Sequence, residues 1–72
     1  MKYIRHKKYG ICLFPNIIKH KNMAECFFGK DEIVSAGFVG IGVDGNLYCY
    51  GESASLGRSC RDEDNEILRK QF

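Results

Sequence analysis

The chain has 72 residues and a mass of 8.2 kDa; 44% of it is hydrophobic, 28% charged and 12% aromatic, with a single proline. A domain this small buries only about 60% of the surface its unfolded chain exposes, and folds that assemble a catalytic site from about 200 residues or more are excluded. The formal net charge of +2 conceals a split: residues 1–30 hold seven cations against one anion, and residues 31–72 hold four against eight, giving +6 and −4.

The composition is that of one globular domain over residues 1–72. Lys2 to His6 and Ile11 to Phe14 are short β-prone runs separated by Lys7, Lys8, Tyr9 and Gly10, and they read as a hairpin. From Lys19 the chain turns helical: Met23, Cys26 and Phe27 share a face, with Ala24 and Phe28 as a second i, i+4 pair beside it. Gly29 is placed to end that helix, and Lys19, Lys21 and Glu25 are left for solvent.

Ile33 to Val43 is β-branched and glycine-rich, Asp44-Gly45-Asn46 is the strongest hairpin turn in the chain, and Leu47 to Tyr50 is the returning strand. Strand side chains alternate, so Tyr48 and Tyr50 share one face of it and Leu47 and Cys49 the other. Gly51 to Arg61 reads as a polar loop. Asp62 to Phe72 has its acids early and Arg69 and Lys70 late, the order that suits a helix dipole. Ser59 with Asp62 resembles a capping pair, and Ile67, Leu68 and Phe72 are the residues this helix is expected to bury.

The resulting order is ββαββα. The expected fold class is α+β, a four-stranded antiparallel sheet with the two helices packed on one face.

Residues 1–10 carry Lys2, Arg5, Lys7 and Lys8 with no apolar run behind them, and no stretch approaches the length of a membrane span. A cytoplasmic protein with free thiols is therefore expected. Were the chain exported, Cys12, Cys26, Cys49 and Cys60 would allow three disulfide connectivities. Their separations of 14, 23 and 11 positions contain no C-x-x-C pair, so no metal and no cofactor is expected.

The remaining chemical signals point away from catalysis. Gly51-Glu52-Ser53-Ala54-Ser55 is one glycine short of a nucleophile elbow and lacks the large sheet that motif requires. Gly37, Gly40 and Gly42 do not follow dinucleotide-binding spacing; within a strand they mark a bend or the close approach of another backbone. His6 and His20 sit among cations and read as surface residues.

The charge split admits three readings: attraction between the halves within the monomer, a basic surface, or a protein contact steered by charge. The expected function is non-enzymatic protein binding to an unknown protein partner through Tyr48, Tyr50, Glu52, Ser53, Ser55, Arg58 and Arg61, with a homodimer a reasonable expectation for so small a core. The alternative is a nucleic-acid surface built from Lys2, Tyr3, Arg5, Lys7, Lys8, Tyr9, Lys19 and Lys21.

The segments Ser35-Ala36-Gly37-Phe38-Val39, Cys49-Tyr50-Gly51-Glu52-Ser53, Ser55-Leu56-Gly57 and Asp62-Glu63-Asp64-Asn65 resemble small proteins encoded in bacteriophages and prophages. Phe14-Pro15 and the Met23-Ala24 helix are similar to the N-terminal parts of those proteins. The resemblance implies a compact, non-enzymatic accessory protein and carries no functional residues with it.

Overall fold

The computed structural model describes residues 1–27 and 29–72. Its elements are β1 (Lys2–His6), β2 (Gly10–Phe14), α1 (His20–Glu25), a 3₁₀ turn at Lys30–Glu32, β3 (Ile33–Ile41), β4 (Leu47–Tyr50), β5 (Glu52–Ser53), β6 (Arg58–Ser59) and α2 (Asp62–Gln71). The main sheet has the order β2-β1-β3-β4 with every neighbour antiparallel, and β5 and β6 form a small sheet of their own. The α+β class and the strand and helix order are those the sequence implies. The segment expected to be a loop from Gly51 to Arg61 instead contains the β5–β6 hairpin.

The helices lie on opposite faces of the sheet, and this corrects the expectation that both pack on one. In the central strand β1, Tyr3 and Ile4 are adjacent and both fully buried, and adjacent strand residues point to opposite faces. Ile4 packs with Phe14, Ala36 and Ala24 of α1, whereas Tyr3 packs with Ile11, Val39, Cys49 and Leu68 of α2. Two thin cores therefore sandwich the sheet. Ile33 joins Ala36 on the α1 side because the pairing steps from Arg5↔Ser35 to His6↔Ile33, a bulge that resets the alternation.

The first helix is shorter than its apolar spacing suggested. It stops at Glu25, with Cys26 as its C-cap and no closing role for Gly29 beyond an N–H donated to the Ala24 carbonyl at 2.9 Å. The proposed Ala24–Phe28 pair falls on a residue outside the described ones.

Helix α2 is fixed to the sheet by a buried polar cluster. Asp64 is fully buried and takes three donors: the Tyr3 hydroxyl at 2.5 Å, Arg5 Nη1 at 2.7 Å and the Arg61 backbone N–H at 3.1 Å. Arg61 is thus the N-cap, with the Asp64 carboxylate reaching back to it as in a capping box, in place of the expected Ser59–Asp62 pair. Arg5 also meets Glu63 at 3.2 Å. The attraction between the basic and acidic halves takes this specific form. Leu68 is buried and Ile67 half-buried as expected, but Phe72 is exposed.

The amide side chains of α2 close parts of both sheet edges. Asn65 accepts the Cys49 N–H of β4 at 2.8 Å. At the other edge Gln71 accepts the Ile11 N–H at 2.9 Å and donates to the Ile11 carbonyl at 2.5 Å. Such covering limits uncontrolled strand addition.

Candidate interaction surface on the β3–β4 hairpin

Between Ile33 and Gly51 the sequence has one charged residue, Asp44. That aspartate builds the turn: its carboxylate accepts the Asn46 backbone N–H at 3.0 Å and side-chain amide at 3.1 Å, and these bonds hold its pKa below the usual carboxylate value. The hairpin then projects beyond the rest of the sheet, since β1 pairs with β3 only as far as Phe38. Gly40 and Ile41 have β4 alone as a partner.

The turn sets the register Phe38↔Tyr50 and Gly40↔Tyr48, which brings three aromatic rings to the α1 side of the hairpin. Phe38 and Tyr50 stack with centroids 5.8 Å apart, and Tyr48 and Tyr50 lie 5.5 Å apart. The Tyr48 ring rests on Gly40, where a Cβ would come within 2.9 Å of ring carbon and hydroxyl oxygen. Any side chain there would lift the ring off the sheet. Tyr48 and Tyr50 are 42% and 47% exposed.

The inner end of this row is anchored. His20 of α1 packs edge-on against both Phe14 and Phe38, each at 5.5 Å, and shares a 2.7 Å hydrogen bond through Nε2 with the Gly37 carbonyl. Burial lowers the pKa of His20, favouring the neutral ring with its proton on Nε2. On the opposite face of the hairpin, Ile41 is 72% exposed, and Val43 beside the turn is fully exposed. Apolar side chains thus face solvent on both sides of one nearly charge-free hairpin.

The other residues expected in the protein-binding set are divided. Glu52 and Ser55 are exposed, and Arg61 is exposed with its guanidinium 3.7 Å from Glu63. Ser53 is buried and its hydroxyl accepts the Leu56 N–H at 3.3 Å, so it shapes the β5–β6 turn. Arg58 does the same, donating to the carbonyls of Ile33, Leu56 and Gly57 at 3.1 to 3.3 Å. Both are occupied in holding Leu56 in the core beneath α1, and this removes them from a recognition loop.

The expected nucleic-acid set is dispersed as well. Tyr3 is fully buried and Arg5 is held by Asp64 and Glu63, so neither is available to a phosphate or a base. Lys2 donates to the Ile18 carbonyl at 3.0 Å. Lys7, Lys8 and Tyr9 remain exposed at the β1–β2 turn, and Lys19 and Lys21 at α1. The first group lies on the turn before β2 and the second at the start of α1, so they belong to different elements.

Both histidines are buried, contrary to the surface placement their basic neighbours suggested. Turn formation explains His6, whose Nδ1 accepts the Lys8 and Tyr9 N–H groups at 3.0 and 3.3 Å. The four cysteines are free thiols. Burial pushes Cys49 up to about 11 and also raises Cys12 and Cys60, which disfavours the thiolate needed for nucleophilic chemistry. Among the described residues, no three His, Cys, Asp or Glu side chains gather into a metal-binding group, and no helix is long and apolar enough to cross a membrane.

Phe38, Ile41 and Val43 are the members of the surface that sequence reasoning missed, and Phe38 is the one that orders the tyrosines. The signal was present: counting back from the Asp44-Gly45-Asn46 turn places Phe38 directly opposite Tyr50. Compared with protein-family models, with curated proteins and with solved structures, the chain has no match.

Proposed function

We propose that the chain is a non-enzymatic protein-interaction module, of the phage or prophage accessory kind it resembles, and that its partner docks on the β3–β4 hairpin. The observation that carries this reading is the coincidence of exposed Tyr48 and Tyr50 rings in a row with half-buried Phe38, exposed Ile41 and Val43, and a single charge over residues 33–51. Depletion of charge together with enrichment in tyrosine characterises the centre of protein interfaces. A phosphate backbone would demand cations there, and the hairpin has none.

The two tyrosines are suited to be energetic anchors. Each presents a ring already held by a neighbour, so little side-chain entropy is lost on contact.

The test compares the wild-type chain with a Tyr48→Ala/Tyr50→Ala variant in affinity capture from a bacterial lysate, at low and at 0.5 M salt. Proteins retained by the wild type at both salts and lost by the variant support the reading. Equal retention by the variant, or retention of nucleic acid alone that salt abolishes, overturns it. A second copy of the chain as the captured partner would establish the homodimer.

A further inference from the structure

The outer edge of β2 carries a different surface. In an antiparallel pair the residues of an edge strand alternately direct their backbone groups toward the neighbour and away from it. Ile11 directs its N–H and C=O outward, and there they meet the carboxamide of Gln71 in a two-point contact at 2.9 and 2.5 Å. A carboxamide has the same donor and acceptor as a peptide unit. Gln71 therefore occupies the place that one residue of an added strand would take. Gly10 leaves room for it: with φ at +81°, it lacks the Cβ that would come within 2.7 Å of Gln71 Oε1.

Two positions on, Leu13 directs its backbone groups the same way. Alongside runs an apolar groove of about 370 Å³ whose lining includes His6, Tyr9, Ile11, Leu13, Phe27 and Phe72. No aspartate or glutamate is among its lining residues. Lys7 and Lys8 are exposed on the adjoining turn, with Lys8 Nζ 5.6 Å from the Tyr9 ring.

We propose that the β2 edge docks an extended peptide segment with alternating apolar and acidic residues, adding it as a fifth strand while Gln71 gives up its place. Backbone pairing at Ile11 and Leu13 would supply affinity. The groove would take the apolar side chains, and Lys7 and Lys8 would select for acid. This surface is separate from the β3–β4 hairpin and does not depend on the reading given for it.

The test is an amide NMR titration of the intact protein with an acetylated, amidated hexapeptide of alternating aspartate and valine. Its controls are the same peptide with lysine for aspartate and a version N-methylated at alternate residues. Expected are shifts centred on Ile11 to Leu13 for the acidic peptide and weak or no response to both controls. Gln71→Ala, which removes the competing amide from an exposed residue, should tighten binding about threefold, in line with the loss of one or two competing hydrogen bonds. Lys7→Glu with Lys8→Glu should weaken it about tenfold. The inference is overturned by equal response to acidic and lysine peptides, by undiminished binding of the N-methylated peptide, by shifts centred on residues 38–50, or by no binding at millimolar peptide. It is also overturned if Gln71→Ala, shown folded by its spectrum, binds no more tightly than wild type; Gln71→Met, which keeps the side-chain length but loses both donor and acceptor without adding charge, repeats that comparison.

Discussion

The seat of α2 and the β3–β4 hairpin use opposite means to define a surface. At the seat, Tyr3 and Arg5 of β1 meet a fully buried Asp64 from the far end of the chain, which accepts from both. On the hairpin, charge is confined to Asp44 in the turn and the contacts are rings and aliphatic groups. A buried ion pair demands one geometry and is destabilising when half of it is missing, which suits an interface that must form the same way each time the chain folds. A neutral aromatic surface tolerates both water and a partner, and suits an interface that is made and broken.

The largest expected effect breaks the first of these regions. Asp64→Ala leaves Arg5 and the Tyr3 hydroxyl without their acceptor beneath α2, and should cost about 3–5 kcal/mol in urea unfolding. For a domain of this size that approaches the whole of its stability. A loss below 1 kcal/mol would show that the cluster does not hold the helix.

Gly37→Ala should come next. Its Cβ would lie 2.5 Å from the Tyr50 carbonyl, a backbone atom that can yield only by moving β4. The expected cost is about 1–3 kcal/mol, accompanied by amide shifts along Leu47 to Tyr50. Unchanged shifts there would mean that the hairpin is not registered by this close approach.

His20 links the hairpin to pH. Its folded pKa lies below the unfolded value of about 6.5, so below that pH the unfolded chain binds a proton that the native state resists. The stabilisation is present above about pH 6.5 and is lost as pH falls through the lower folded value. His20→Gln retains a donor for the Gly37 carbonyl and should flatten this part of the stability profile between pH 7.5 and 5. Parallel profiles for the two proteins would remove His20 as the cause.

The smallest expected effect sharpens the comparison. Tyr48→Ala and Tyr50→Ala should each change unfolding stability by about 0.5–1 kcal/mol, the range of an exposed residue with one ring contact at Tyr48 and two at Tyr50. Partner binding through the same residues should fall by 2 kcal/mol or more, the order of an interface anchor. Loss of stability equal to loss of binding would mark the rings as structural.

How much of this was legible follows from how local each signal is. The turn at Asp44-Gly45-Asn46 and the shared face of Tyr48 and Tyr50 depend on residues within a few positions, and alternation alone orders them. The α2 seat joins Asp64 to residues 61 and 59 positions away. The sequence showed Arg5 as one cation among several and Tyr3 as an aromatic suited to stacking, and only tertiary packing turns both inward. The two-faced burial of β1 was hidden for a related reason. Tyr3-Ile4 breaks the apolar alternation, and a central strand covered on both sides has none to display. Ser53 and Arg58 looked like free loop chemistry because the β5–β6 hairpin that employs them has strands of only two residues.

Site-specific photocrosslinking reads the docking surface directly. With p-benzoylphenylalanine replacing Tyr48 in one protein and Tyr9 in another, irradiation in a bacterial extract should give a discrete protein adduct from position 48, suppressed by unlabelled wild type and unaffected by 0.5 M salt. No adduct from position 48, or the same adduct from both positions, would contradict the assignment of the β3–β4 hairpin as the surface a partner meets.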